Sequence, residues 1–315
     1  MDTPNAKNFC GGAFEDWLEV NLTDRCNGRC AWCVEKQGWH PTHHAPWLEL
    51  VDQMLASHKT NIILLGGEPT LHPQIGKIIQ ALRGAGRRPW MTTNGTRMTR
   101  DWVLRHLWGL FGINLSIHHY ESKRNETITG LSLQWDLLRD AITALHEMDV
   151  VVRFNCNCIQ GYVDSVEAIR QYARWVTEMG GNKIRFAELK GDDVGFVDLA
   201  AILDHKYGLN DNPFRDGCNS DAVIDGVPVN FRQMCGLQTG RRPRPDSPST
   251  RVKPVLYYDG KMYQGWQLTG DHAMTKKEIA AILKQVKEGT LSVEDATKKL
   301  KEEGAVSPTY SPCQY

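Results

Sequence analysis

The chain has 315 residues, with 37 basic and 37 acidic side chains, so no global field favours nucleic acid or an anionic membrane as a partner. No window approaches eighteen uninterrupted apolar residues, and the start Met1-Asp2-Thr3-Pro4-Asn5 has neither the basic residues nor the apolar core of a signal peptide. A cytoplasmic protein is expected, in which nine cysteines point to metal ligation more than to disulfides, because thiols there stay reduced.

Residues 1–14 read as an extension. Trp17–Leu22 alternates apolar and polar residues as a strand does, and directly after it comes Cys26-Asn27-Gly28-Arg29-Cys30-Ala31-Trp32-Cys33. A C-x3-C-x2-C loop can wrap three thiolates around a cubic iron–sulfur cluster, which normally takes four cysteines; the missing fourth leaves one iron open. A zinc knuckle is the alternative. His40, His43 and His44 follow closely enough to serve it, although zinc sites usually draw four protein ligands from paired short spacings.

Further strands are expected at Asn61–Leu65, Pro89–Thr93, Gly112–Ile117, Val150–Cys156 and Lys183–Glu188. Amphipathic helices are expected between them at Leu48–His58, Ile75–Ala85, Asp101–Leu107, Leu133–Met148 and Val166–Met179. Six strand-then-helix units imply parallel strands with crossover helices, hence an α/β fold with its functional loops at the carboxyl ends of the strands. The second strand ends in Gly66-Gly67-Glu68-Pro69, where paired glycines allow a sharp turn and close backbone approach to a ligand. Thr92-Thr93-Asn94-Gly95 ends the third strand, Ser116 the fourth, and Arg153 and Asn155 lie in the fifth, all toward one rim. Each has a bland reading alone: Asn94-Gly95 as a turn, Ser116 as a small core residue, Arg153 as a surface charge.

After Leu189 the pattern changes. Residues 15–190 are expected to form the barrel, 191–271 a smaller α+β cap rich in Gly, Pro and β-formers, and 272–315 charged helices and a tail. The cap holds the strongest local positive cluster, running from Arg232 through Arg241, Arg242 and Arg251 to Lys253. It reads either as a seat for phosphate or carboxylate or as a solvated, proline-rich loop. Cys156 and Cys158 alternate on the fifth strand and read as core or rim thiols.

The cysteine spacing, Gly66–Pro69, Thr92–Gly95, Arg153-Phe154-Asn155 and Arg185-Phe186-Ala187-Glu188 together resemble the radical SAM superfamily. Within it the chain is similar to the GTP cyclase of molybdenum-cofactor biosynthesis and to relatives with a twitch or SPASM extension, over roughly residues 15 to 190. The resemblance implies a partial (β/α)6 TIM-type barrel with a twitch-like carboxyl-terminal domain. It also implies a [4Fe–4S] cluster on Cys26, Cys30 and Cys33, and reductive cleavage of S-adenosylmethionine (SAM) to a 5′-deoxyadenosyl radical. Gly66, Gly67, Glu68 and Pro69 would grip the methionyl amino group; Thr93, Asn94, Ser116 and Asn155 would line the rest of SAM, and Arg153 would meet its carboxylate. Arg185 would face the substrate, and a flavodoxin or ferredoxin would supply the electron.

Departures from the cyclase matter. Its second cluster uses a C-x2-C pair and a distant cysteine, whereas here the candidates are Cys218, Cys235 and Cys313. Gly265-Trp266 follows the hairpin Val255–Tyr263 where a ligand is expected. Those three thiols read either as a rearranged second iron–sulfur cluster or as buried thiols. Glu19 stands where the cyclase places an arginine, and the chain ends in Ser311-Pro312-Cys313-Gln314-Tyr315 in place of paired glycines, so GTP cyclisation is not expected. The expected substrate is a small anionic metabolite such as a nucleotide or phosphorylated sugar. Peptide modification is the second reading, and a non-catalytic iron–sulfur or zinc module the third.

Overall fold

The protein's structure is a computed structural model that describes residues 16–37, 40–189, 195–203, 219–233, 254–264, 276–288 and 290–296. In chain order the elements are β1 (Trp17–Asn21), α1 (Val34–Gln37), α2 (Trp47–Ala56), β2 (Asn61–Leu65), a 3-10 turn (Pro69–Leu71), α3 (Ile75–Gly84), β3 (Arg88–Thr93), α4 (Arg100–His106) and β4 (Gly112–Ser116). They continue with α5 (Ser122–Thr129), α6 (Trp135–Glu147), β5 (Val151–Asn157), α7 (Val166–Glu178), β6 (Lys183–Ala187), α8 (Leu199–Leu203), β7 (Asn219–Ile224), β8 (Val227–Arg232), β9 (Pro254–Tyr257), β10 (Met262–Gln264) and α9 (Lys276–Lys287).

Strands β1 to β6 pair in parallel, each with the next. One face of this sheet is apolar and fully buried, with Leu18 and Val20, Ile62 and Leu64, Ile113 and Leu115, and Phe154 and Phe186 all in the core. The crossover helices cover it with Ile78, Ile79 and Leu82 of α3, Leu138 and Ile142 of α6, and Ile169 and Val176 of α7. Each such side chain contributes roughly 1.5–3 kcal/mol by leaving water. Helix starts add smaller terms: Thr99 and Ser165 accept hydrogen bonds from Trp102 N and Ala168 N and cap α4 and α7.

Because side chains alternate along a strand, the residues between these apolar ones line the inner face. They include Glu19, Asn21, Asn114, Ser116, Arg153, Asn155 and Arg185. A closed (β/α)8 barrel fills its interior mainly with branched apolar side chains. Here the inner face is polar, as a partial barrel that admits a ligand requires.

The carboxyl-terminal strands join the barrel sheet. No separate small sheet follows the barrel among the described residues; both hairpins extend the same ten-stranded sheet, in the order β10-β9-β1-β2-β3-β4-β5-β6-β8-β7. β8 runs parallel to β6 with Arg185 opposite Asn230, and β9 runs parallel to β1 with Glu19 opposite Val255. The physical reason is edge closure. The outer strands of a six-stranded sheet leave rows of unpaired backbone groups, and a hairpin on each side satisfies them. Packing secures both joins: Phe231 stacks on Phe186 at 5.6 Å, and Val255 and Tyr257 pack with Leu65 and Tyr263. Cys218, Cys235, Cys313, Arg241, Arg242, Arg251 and Lys253 lie outside the described residues.

Candidate functional site

The cysteine loop leaves the carboxyl end of β1 and is pinned from two sides. Gly67 N donates to Thr23 O at 2.6 Å and Glu68 N to Arg25 O at 2.7 Å, which ties the loop to the turn after β2. On the other side Arg29 N donates to Thr129 O at 2.6 Å, at the end of α5. Cys26 is exposed and Cys30 and Cys33 are partly buried. Burial, then Cys33 and Cys26, push the Cys30 thiol up to about 11. Burial also raises Cys26, with smaller contributions from Glu68 and Cys33, against the Gly28 N–H that donates to its sulfur at 3.3 Å. Thiols close enough to oppose one another's ionisation are suited to a polynuclear cation, whose charge reverses that penalty and draws off the protons.

Among the described residues no three His, Cys, Asp or Glu side chains converge as the ligands of a single ion do. Thiolates on separate corners of a cubane need no such convergence. Two of the three histidines of the zinc alternative are engaged with acids: His44 Nε2 lies 3.2 Å from Asp24 Oδ1, and His40 Nδ1 3.6 Å from Glu35 Oε1. His44 also stacks on Tyr258 at 4.4 Å, and the Tyr258 hydroxyl donates to Pro41 O at 3.1 Å, so this segment is strapped to the β9–β10 hairpin.

The turn after β2 is built on close approach. Gly66 has φ 122°, and a Cβ there would lie 2.5 Å from Thr23 O; at Gly67 a Cβ would overlap the Arg25 carbonyl. Glu68 is buried, at 1% exposure. Its Oε1 accepts from Thr70 N, Thr70 Oγ1 and Thr93 Oγ1 at 3.0, 2.6 and 2.6 Å, and its Oε2 from Asn94 N at 2.8 Å. Burial raises its pKa while those donors pull it back. Four donors match the roughly four acceptor sites of a carboxylate, so Glu68 staples the end of β2 to the end of β3. Asn94 in turn donates from Nδ2 to Asn27 Oδ1 at 2.8 Å, holding the cysteine loop from a third side.

The wall formed by β4 to β8 differs. Asn155 Oδ1, Arg153 Nε and Asn114 Oδ1 are buried without a hydrogen-bond partner. Asn114 Nδ2 donates to Thr92 Oγ1 at 3.0 Å, and Ser116 sits opposite Asn155 in register. Orphaned polar atoms beside the cysteine loop's rim, and glycines whose missing Cβ atoms let the turn lie against that loop, fit a bound polar cofactor such as SAM.

Two contributors escaped the sequence reading. His118 follows β4; its Nδ1 accepts from Asn157 N at 3.1 Å, burial pushes its pKa down to about 4, and its ring meets Trp32 of the cysteine loop edge-on at 5.4 Å. Asn230 and Asp221, on the β7–β8 hairpin, form a chain to Arg185: Asn230 Nδ2 donates to Asp221 Oδ1 at 2.8 Å, and Arg185 Nε to Asn230 Oδ1 at 3.0 Å. A histidine after a strand carries no signal of its own, but Arg232 did stand out as the start of a basic segment.

Comparison with known proteins agrees with this geometry. A profile of the Radical SAM superfamily matches residues 20–176. The GTP 3′,8-cyclase of Actinobacillus succinogenes is 28% identical over 230 residues, covering 69% of this chain and 66% of the relative. That of Haemophilus influenzae is 30% identical over 182 residues, covering 55% and 53%. The chain therefore spans about half to two thirds of the length of these curated relatives. Among solved structures, Streptococcus suis SuiB bound to precursor peptide SuiA superposes with TM-score 0.54 at 16% identity, over 79% of this chain and 59% of that one. A radical SAM methyltransferase from Sphaerobacter thermophilus gives 0.52 at 16%, over 70% and 67%. Likeness at that identity speaks for the fold alone. The chain belongs to the radical SAM superfamily, whose enzymes work with a [4Fe–4S] cluster and S-adenosylmethionine.

Proposed function

We propose that this protein is an enzyme that reductively cleaves SAM and uses the resulting radical on a small anionic substrate. The observation that carries this reading is the C-x3-C-x2-C loop at the carboxyl end of β1, pinned against the Gly66–Pro69 turn by two backbone hydrogen bonds. When bound, the cluster and SAM supply the radical chemistry, which the side chains alone cannot perform.

The chain's own part is to bind, orient and exclude water. Cys26, Cys30 and Cys33 would hold the cluster through three thiolates, one fewer than a full set, with SAM bound beside it. The backbone of Gly66 and Gly67 would meet the amino group, while Pro69 fixes the exit of the turn and Glu68, Thr93 and Asn94 keep its shape. Ser116 and Asn155 offer hydrogen-bonding groups to the nucleoside half. Trp32 and His118 close the rim between the cysteine loop and β4, limiting solvent at the centre where a radical would otherwise be quenched.

Arg185 on the inner face supports an anionic substrate, and we place that substrate among nucleotides or phosphorylated sugars. A flavodoxin or ferredoxin in the cytoplasm is the proposed reductant. No helix among the described residues is long and apolar enough to cross a membrane. One cluster per chain is the reading adopted, since Trp266 follows the β9–β10 hairpin and the Cys218–Cys235 spacing is long.

Anaerobic reconstitution tests this directly. Wild-type protein should bind about four irons and form 5′-deoxyadenosine from SAM under dithionite, and alanine at Cys26, Cys30 or Cys33 should reduce both to background. A colourless zinc protein that leaves SAM intact would refute the reading, and about eight irons would replace one cluster by two.

A further inference from the structure

Four surface arginines of α4, α6 and α7 are paired with carboxylates: Arg100 with Glu147 at 2.6 Å, Arg105 with Asp101 at 3.4 Å, Arg139 with Asp136 at 2.9 Å and Arg174 with Glu167 at 2.9 Å. Around the cysteine loop the surface charges are left open. Arg25, Arg29, Lys36 and Arg97 are exposed, and among the described residues no ion pair or side-chain hydrogen bond engages them.

Chain order and contacts place all four about the loop. Arg25 and Arg29 belong to it, directly before Cys26 and Cys30, and Lys36 lies on α1, which begins directly after Cys33. Arg97 follows Thr96, whose hydroxyl oxygen accepts from Asn27 Nδ2 at 2.8 Å. A Cβ on Gly130 would lie 2.8 Å from Arg29 Nε, so the Arg29 side chain rests across the end of α5, where with Lys123 and Thr127 it lines an open hollow of about 350 Å³. Of the acids in or beside the loop, Asp24 meets His44 at 3.2 Å, Glu126 meets Lys123 at 3.1 Å, Glu35 accepts from Asn21 Nδ2 at 2.9 Å, and Glu68 is buried. Unpaired cations therefore ring a loop whose first cysteine, Cys26, is exposed. Such a field draws an acidic partner, at rates that fall as salt rises.

We propose that Arg25, Arg29, Lys36 and Arg97 form the docking surface for an acidic flavodoxin, which delivers the electron for SAM cleavage at the cysteine loop. This rests on the proposed function, which requires a one-electron reductant there. Electron transfer weakens steeply with distance, so the carrier must meet the loop itself, and exposed Cys26 marks the loop as reachable. The step oxidises the anionic reduced flavin by one electron and reduces the cluster by one, with no bond made or broken. A flavin edge is flat and aromatic, and Trp32, half-buried beside exposed Ala31 in the same loop, offers it an aromatic surface within the ring of cations. A ferredoxin would bring the acids without the flat ring. The contact is expected to be small and short-lived, as redox encounters are.

The test measures binding and reduction separately. Surface plasmon resonance with an acidic bacterial flavodoxin should show binding to the anaerobically reconstituted wild type, weakened about tenfold or more when Arg29→Glu and Arg97→Glu are combined. Arg29→Lys with Arg97→Lys should retain it. High salt should shrink the difference, because exposed charges are screened. Both double variants should match wild type in iron content and in dithionite-driven formation of 5′-deoxyadenosine, while formation driven by reduced flavodoxin falls only in the charge-reversed protein. Binding that is absent in wild type, or equal in wild type and the charge-reversed protein, would overturn the proposal, as would charge-dependent binding of a ferredoxin in place of flavodoxin. Parallel loss of dithionite-driven turnover would place the arginines in the site itself and overturn it too. Dithionite-driven 5′-deoxyadenosine formation by the wild type reports on the radical SAM reading separately, since it needs no flavodoxin.

Discussion

The two sides of the inner face are finished to different degrees. Around β1 to β3 the groups that hold the cysteine loop have protein partners, although Asn21 Oδ1, Arg87 Nε and Trp90 Nε1 lack one: Glu68 accepts four hydrogen bonds, Asn94 reaches Asn27, and the loop's backbone is bonded to both neighbours. Across the barrel, on β4 and β5, Asn114, Asn155 and Arg153 keep buried atoms without partners on the inner face itself, and the charge of Arg232 bears on Arg153. A buried polar group left unpaired costs about 1–3 kcal/mol, so this wall is less stable as it stands than it could be. The contrast separates two tasks. On the proposed function, the β1–β3 side would hold a fixed shape for a cluster loop, whereas the β4–β5 wall would offer its hydrogen-bonding capacity to groups that arrive from outside.

Breaking the finished side should be costly for the fold. Gly67→Ala sets a methyl on the Arg25 carbonyl, and relief requires the cysteine loop and the β2 turn to separate. A loss of about 3–5 kcal/mol is expected, read as a lower melting temperature together with lost iron on reconstitution. Unchanged melting and iron content would show that the two loops are not held as tightly as the hydrogen bonds imply.

The unfinished side should respond in the opposite sense. Asn155→Leu removes an acceptor that has no partner, so stability should stay level or rise by up to about 1 kcal/mol, while SAM or substrate affinity falls. Thermal melts and SAM titration on the same variant check both halves. A clear loss of stability would mean that Asn155 is a structural member of the wall, and the comparison would fail there.

The contrast also explains what could be read in advance. All six barrel strands lie within two residues of their expected limits, because alternating Ile, Val, Leu and Phe set the period of two and the face at once. Helix α5 was missed: Ser122–Thr129 has no apolar stripe, buries only Asn125 and Thr129, and ends on Gly130 at φ 71°. Its place comes from docking under the cysteine loop, a tertiary contact. The β9–β10 hairpin was legible from Asp259-Gly260 between apolar runs, yet its partner strand was not, since parallel pairing of β9 with β1 spans more than two hundred residues. The same limit hid the site's second wall. Cysteine spacing announces a cluster loop locally, but the contact of Arg185 with Asn230 exists only once β8 joins β6.

The central claim is that Cys26, Cys30 and Cys33 present a cluster with one iron open to SAM. Electron paramagnetic resonance of the dithionite-reduced protein, recorded with and without SAM, tests it most directly. The account predicts a reduced [4Fe–4S] signal in the wild type that changes shape when SAM is added and is absent from the Cys30→Ala protein. A cluster signal indifferent to SAM, or one that survives loss of Cys30 unchanged, would contradict it.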